Sequence, residues 1–286
     1  MSISLGIVFG LMAMFGWGTA DFLAKKVIDK IGDFKTLLWV QTFGLLALVP
    51  FYFIFTTELK YSIEDFALFI LIGLMGTLGY LLFYRALRKG MVSVISPIQA
   101  SWVVVTVVLS VLLLKEFLSL VESIAISITI CGIILVSFRL NDVKNAKSSS
   151  ILPGVPEDII SMSLWGINFV IIGFLVSQLN WFAPIFFLRV FMVIFLFSSS
   201  KGVKNNLLIP KKVIPVVAII GLLDVMAFIG FGLGVNSVYV SIVSPIAASF
   251  PLVTIILARI FLKEKLEMNQ KIGVTGILIG LILLSM

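Results

Sequence analysis

The sequence predicts an all-α integral membrane protein with ten transmembrane helices, arranged as two inverted five-helix repeats. Three observations lead to this prediction: the composition, the lengths of the apolar runs, and a repeat at constant spacing. Of the 286 residues, 60% are hydrophobic and 12% are charged, and the mean hydropathy is +1.21. A soluble domain of this length needs far more charged surface, so the composition favours a membrane protein.

Ten apolar runs have about the length of a membrane-spanning helix, for which ~20 residues cross a hydrocarbon core. The bilayer core has no water to bind exposed backbone groups, which restricts the choice to helices or closed barrels. The runs are continuously apolar and do not alternate as barrel strands do, so helices are predicted. The runs span approximately residues 5–23, 35–55, 66–86, 92–114, 119–138, 159–179, 182–198, 213–234, 240–262 and 267–285.

The chain contains an internal repeat. The segment SVISPIQASWVVVTVVLSVLLLKEFL at residues 93–118 returns as SIVSPIAASFPLVTIILARIFLKEKL at residues 241–266, with 13 of 26 positions identical, no gap and an offset of 148 residues. We therefore expect two five-helix units, residues 5–138 and 159–285, joined by the polar linker 139–158.

An odd number of helices in each unit has a consequence for orientation. After five crossings the chain is on the other side of the membrane, so the second unit inserts upside down relative to the first. Inverted repeats related by an axis in the membrane plane are a recurring architecture of secondary transporters, in which the two halves support alternating access.

Several repeated motifs resemble those of the EamA family of the drug/metabolite transporter superfamily. Each unit has a Trp-Gly pair in its first run, a Ser-Pro at the start of its fourth and a Lys-Glu at the end of its fourth. The resemblance implies a ten-helix transporter of amino acids or other metabolites, and it covers nearly the whole chain. The family commonly has Gly-Glu where this chain has Lys-Glu. The motifs are Trp17-Gly18 and Trp165-Gly166, Ser96-Pro97 and Ser244-Pro245, and Lys115-Glu116 and Lys263-Glu264.

Two charged residues lie deep within the runs. Asp224 is in the eighth run and aligns with Gly76 of the first unit, while Arg189 is in the seventh and aligns with Gln41. A charge at mid-membrane costs ~2.5–3.5 kcal/mol on insertion scales, so it normally faces a cavity or a partner. Two interpretations stay open: a structural Asp224–Arg189 pair, or a substrate or proton site. Asp21 is expected near a helix end, where it snorkels to the interface.

The other candidate site residues are polar, aromatic or proline side chains within the runs. Each also has a structural interpretation: bonds between helices, aromatic packing or local bending of a helix. Pro251 is expected to break the ninth helix only, and Glu116 and Glu264 are interpreted as caps of the helix that follows each of them. The candidates for contact with a solute are Asn168, Gln99, Tyr80, Tyr84, Trp17 and Trp165, and those for helix breaks are Pro97, Pro245 and Pro251.

The net charge of +7 is interpreted as a topology signal and not as a nucleic-acid site. Seventeen Lys and Arg side chains follow odd-numbered runs, whereas only Lys60 and Lys115 follow even-numbered ones. The positive-inside rule then predicts a multi-pass protein of the cell membrane with both termini outside. The resemblance implies the opposite orientation, with cytoplasmic termini.

A secondary transporter of a small polar or amphiphilic metabolite, amino-acid-like or similar, is the predicted function, with proton coupling left open. The alternatives are an integral membrane enzyme acting on lipid and a non-transporting scaffold. The chain has no histidine, no Walker motif and no cluster of acids within its runs, so we expect no enzyme, cofactor or metal site. The expected partners are a small solute and the bilayer. Gly276 and Gly280 permit close helix contact within one chain or between two, so monomer and homodimer both stay open.

Overall fold

The computed structural model describes residues 3–56, 60–90, 95, 98–137, 153–200, 207–262 and 267–284, which form helices and connecting turns with no strand among them. The helices are α1 (Ile3–Ile31), α2 (Asp33–Leu48), α3 (Tyr52–Thr56), α4 (Ile63–Lys89), α5 (Trp102–Leu113), α6 (Leu120–Ser137), α7 (Val155–Gln178), α8 (Phe182–Ser200), α9 (Ile214–Val235), α10 (Val240–Ala248), α11 (Phe250–Leu262) and α12 (Met268–Leu284).

The described helices account for each apolar run, although not all are of equal length. Six continuous helical stretches are long and apolar enough to cross a membrane, and four apolar helices are shorter, at 10–17 residues. The second run is divided into α2 and α3 by a 3₁₀ turn, Val49–Phe51, with Pro50 inside it. Helix α1 continues to Ile31, beyond the predicted end at residue 23, because Ala24, Val27 and Ile28 extend its buried face.

Large apolar side chains cover the outside of the helix bundle. Phe53 is 71% exposed, Leu112 66% and Phe261 65%. Exposed apolar surface on this scale is expected of a protein whose solvent is the hydrocarbon of a bilayer. Together with the long apolar helices, it defines a multi-pass membrane protein.

The two repeats make the same contacts twice. Helix α1 packs on α9 just as α7 packs on α4. The Thr254 hydroxyl donates to the Gly18 carbonyl oxygen at 3.1 Å, and the Thr106 hydroxyl donates to the Gly166 carbonyl oxygen at 3.0 Å. Each atom of the first contact lies 148 residues from its counterpart in the second, with the repeats exchanged. Such reciprocal contacts are the mark of a two-fold relation.

Helices α6 and α12 occupy equivalent positions in the two repeats and contact each other through glycines. A β carbon on Gly132 would lie 2.7 Å from the Ile277 nitrogen, and one on Gly280 would lie 2.8 Å from the Ala125 carbonyl oxygen. Gly276 is also on this face, where its β carbon would be 3.5 Å from the Gly132 Cα. The glycines of the last run therefore serve a contact within the chain.

Both the fourth and the ninth run contain a break at a serine. The Ser101 nitrogen donates to the Ile98 carbonyl oxygen at 3.1 Å, and the Ser249 nitrogen donates to that of Ile246 at 3.2 Å, which are i−3 bonds at equivalent positions. The prediction that Pro251 adds a break to the ninth run only is therefore wrong. The two turns share the serine and not the proline.

Two prolines of the second repeat lie within a helix or at its start. Pro245 lies inside α10, and Pro251 is the second residue of α11, where a missing N–H costs little. Pro97 lies outside the described residues.

Candidate solute site on the repeat axis

A pocket lies between the two repeats. Four pairs of repeat-equivalent positions, 148 residues apart, supply eight of its ten lining residues: Trp17 and Trp165, Asp21 and Phe169, Tyr80 and Phe228, and Trp102 and Phe250. Phe83 and Gln99 complete the lining. Because each repeat contributes the same positions, the pocket lies on the pseudo-two-fold axis.

Aromatic rings occupy most of the space between the two repeats at this axis. Trp102 lies 4.3 Å from Phe169 between ring centroids, and Trp165 lies 4.8 Å from Tyr80. Gly79 makes room for the indole, since a β carbon there would be 2.7 Å from the Trp165 Nε1. The remaining free volume is about 30 Å³, enough for a water molecule or two. A larger solute must therefore separate the rings.

Apart from the indole N–H groups, the polar groups of the pocket come from the first repeat. They are Asp21, Tyr80 and Gln99. The equivalent positions in the second repeat hold Phe169, Phe228 and Ala247. The two repeats therefore contribute equivalent positions to the wall, but the carboxylate, hydroxyl and amide groups that a solute meets there come from the first repeat only.

Asp21 is the functional candidate that sequence reasoning placed wrongly. It was expected near a helix end, but α1 continues for ten residues beyond it, to Ile31. The Asp21 side chain is partly buried and lines the pocket. Its alignment with Phe169, one turn after the repeated Trp-Gly pair, was the signal in the sequence that could have revealed this.

Two further polar atoms at the pocket have no partner among the described residues. They are the Gln99 Oε1 and the Trp17 Nε1, and each of these side chains is only 6% exposed. A buried polar atom without a hydrogen bond costs about 1–3 kcal/mol. The pocket therefore offers an acceptor and a donor that a solute or a water molecule can satisfy.

A buried ion pair lies beside the pocket. Arg189 donates from Nη2 to the Asp224 Oδ2 at 2.5 Å and from Nη1 to the Gln41 Oε1, and the Arg189 and Asp224 side chains are 0% and 5% exposed. The Tyr80 hydroxyl donates to the other Asp224 oxygen at 2.7 Å, and the guanidinium lies 5.0 Å from the Phe228 ring. The pair therefore holds two aromatic residues of the pocket.

The hydrogen bond between Arg189 and Gln41 joins the two repeats. The two residues occupy equivalent positions in the repeats, so the axis passes between their side chains. Gly44 leaves space for the guanidinium, because a β carbon there would lie 3.1 Å from the Arg189 Nη1. The sequence predicted the two charged residues but gave no sign that Gln41 and Tyr80 share their network.

Two other sequence candidates, Asn168 and Tyr84, do not line the pocket. The Asn168 Nδ2 donates to the Ile72 carbonyl oxygen at 3.0 Å, which joins α7 to α4. The Tyr84 ring packs edge-on against Tyr80, with 5.7 Å between the centroids. Among the described residues, no group of three His, Cys, Asp or Glu side chains is placed as a metal site requires.

Glu116 caps a helix of the opposite repeat. Its Oε1 accepts from the Val240 nitrogen at 2.9 Å, and its Oε2 accepts from the nitrogen and hydroxyl of Ser241 at 3.0 and 2.5 Å. A carboxylate at a helix N-terminus satisfies backbone donors that have no partner within the helix. Glu116 thus joins the end of α5 to the start of α10.

The prediction that Glu116 caps the helix that follows it is therefore wrong. Helix α6 has its own cap, in which the Ser119 nitrogen donates to the Glu122 side chain at 2.7 Å and the Glu122 nitrogen donates to the Ser119 hydroxyl at 3.2 Å. Lys115 has a φ of 55°, a left-handed conformation that glycine adopts without strain. Glu264 lies outside the described residues.

The fold and the axial pocket define a membrane protein built from two equivalent halves. A model of the EamA-like transporter family matches residues 4–138 and again residues 158–286. The chain belongs to this family, whose members are transporters.

One relative and one solved structure extend this comparison. An uncharacterized protein of Methanocaldococcus jannaschii, MJ1333.1, is 36% identical over 135 residues, which are 95% of that protein and 46% of this chain. That relative is similar to about one repeat. A protein of known crystal structure matches with a TM-score of 0.76 at 15% identity, covering 99% of this chain and 96% of the other, so the two share a fold.

Proposed function

We propose that the protein is a secondary transporter that moves a small polar or amphiphilic metabolite across the membrane by alternating access. The observation that carries this proposal is the pocket on the repeat axis, lined by equivalent residues of both halves. A site on such an axis can be opened by either half in turn, because similar halves can exchange conformations.

The proposal assigns roles to the site residues. Trp17, Trp165, Tyr80 and Gln99 contact the solute, while Asn168 and Tyr84 hold the helices around it. The Arg189–Asp224 pair positions Tyr80. The architecture proposed is ten crossings in two inverted units, acting without a cofactor. Gly276 and Gly280 face α6, which supports a monomer.

Solute flux is the test of this function. The purified protein is reconstituted into proteoliposomes and screened for uptake of a metabolite mixture, with and without a pH gradient. Saturable uptake of at least one metabolite is expected. A lipid-modifying enzyme would instead release product from the bilayer, and a scaffold would give neither signal. Either result overturns the proposal, and the pH gradient decides whether protons drive the flux.

We also propose that the protein lies in the cell membrane with both termini outside, because the Lys and Arg residues follow odd-numbered runs. A reporter fused after Met286 is then active only if it functions outside the cytoplasm. Activity of a cytoplasmic reporter alone would show that the family orientation applies to this chain.

A further inference from the structure

Asp21 is the only charged side chain among the described residues that line the axial pocket. None of the described residues forms a hydrogen bond or an ion pair with it. The nearest cation along α1 is engaged elsewhere: the Lys25 ammonium donates to the Asp29 Oδ1 at 3.0 Å and to the Leu87 carbonyl oxygen at 2.9 Å. The Asp21 carboxylate therefore lines the pocket with no counter-ion among the described side chains.

The charges around the pocket do not supply that counter-ion either. Asp224, beside the pocket, is itself an acid, and its two oxygens accept from Arg189 and Tyr80. Arg189 is the buried base nearby, and its two terminal nitrogens are taken by Asp224 and Gln41. Among the described residues, no basic group is therefore left to pair with the Asp21 carboxylate.

The rest of the pocket wall is aromatic. Indole and phenyl faces attract a cation within about 6 Å of the ring centroid, and more strongly where water is excluded. Trp17 lies 5.1 Å from Phe228 and 5.5 Å from Phe169 between centroids, so several rings converge on one small volume. The Gln99 Oε1 adds a buried acceptor without a partner among the described residues. All of these features favour a positively charged ligand.

The same features disfavour a zwitterion. The carboxylate of an amino acid would lie beside Asp21, and no basic side chain lines the described pocket to compensate it. We propose that the transported solute is an organic monocation, an amine or quaternary ammonium with an apolar body, bound by Asp21 within the aromatic rings. This inference rests on the proposed transport function and narrows its substrate class.

Binding to the full chain in detergent tests the inference without requiring transport. Titration calorimetry with phenyltrimethylammonium as the cationic probe and phenylalanine as the zwitterionic probe compares the two charge types on one aromatic body. We expect the cation to bind at least about tenfold more tightly, and Asp21→Asn to weaken it by about tenfold or more, since each tenfold step is a modest ~1.4 kcal/mol. Asp21→Glu retains the charge and is expected to retain binding.

Asp29→Asn is the matched control. It removes one acid from the same helix, two turns further along and outside the pocket, so it is expected to leave the affinity within about twofold. Equal binding of phenylalanine by the unaltered protein, or unchanged cation binding by a folded Asp21→Asn variant, would overturn the cation site. Flux of an uncharged or zwitterionic metabolite without cation binding would contradict the cation site but would support the transport function. Cation binding without flux of any solute would do the reverse.

Discussion

Replacing Asp224 with asparagine is expected to lower the free energy of unfolding by about 3–5 kcal/mol, because it leaves the buried Arg189 guanidinium without its anion. Arg189→Gln is expected to cost a similar amount by leaving the Asp224 carboxylate unpaired. The double variant is expected to recover most of the loss, because neither charge of the pair then remains to be left without its partner. Glutamine is the residue that the first repeat has at this position, Gln41, so it fits the local backbone.

Unfolding of the three variants in the same detergent gives the coupling between the two sites. Asp33→Asn is the matched control: it breaks an ion pair with Arg88, whose side chain is 51% exposed, and about 1 kcal/mol or less is expected there. Additive losses in the double variant would contradict a structural pair. Flux in the double variant tests the other interpretation, in which Asp224 is a proton site. If transport still responds to pH, Asp224 takes no part in proton coupling. If the variant is folded but its transport no longer responds to pH, Asp224 is the proton site.

Glu116→Gln is expected to weaken the contact between α5 and α10 by about 1.5–3 kcal/mol, the range for hydrogen bonds to a charged group. The amide keeps the shape of the side chain but loses the charge that the Val240 and Ser241 nitrogens share. If this contact closes one end of the transporter, the equilibrium shifts towards the state in which that end is open by about tenfold or more.

Labelling with a thiol reagent reports this shift. Cys131 is the only cysteine, so Cys131→Ser provides a background for a single cysteine at Val238, in the recess of about 370 Å³ beside the Glu116 cap. We expect Glu116→Gln to speed labelling there and to change the flux. Glu122→Gln, in the separate cap of α6, serves as the comparison and should do neither. Equal labelling rates in the two variants would show that the Glu116 contact takes no part in opening.

The repeat made much of the fold and part of the site predictable. An ungapped offset of 148 residues pairs Trp17 with Trp165 and Gly132 with Gly280 in the sequence, and these pairs occupy equivalent places in the structure. The deep charges were predictable for a different reason, since Arg189 and Asp224 stand out in apolar runs. A sequence pattern carries this information because equivalent residues of duplicated halves meet equivalent neighbours.

The places of Asp21 and Glu116 were not predictable in this way. Asp21 lies near the end of the first apolar run, shortly before Lys25 and Lys26, and hydropathy ends the predicted helix there, whereas packing of Val27 and Ile28 continues it. Glu116 was assigned to the helix that follows it in the sequence. That helix is capped by Ser119 and Glu122 instead, and Glu116 caps a helix of the other repeat. Contacts between distant segments decide both cases, and local sequence does not record them.

Access to the axial pocket from each side of the membrane is the most direct test of the account. A single cysteine is placed at Gln99 in the Cys131→Ser background and exposed to a membrane-impermeant maleimide in right-side-out and in inside-out vesicles. A transporter with an alternating axial site predicts labelling from both sides, with protection by the transported solute in each case. Labelling from one side only, or from neither, would contradict the claim that the two halves open this pocket in turn.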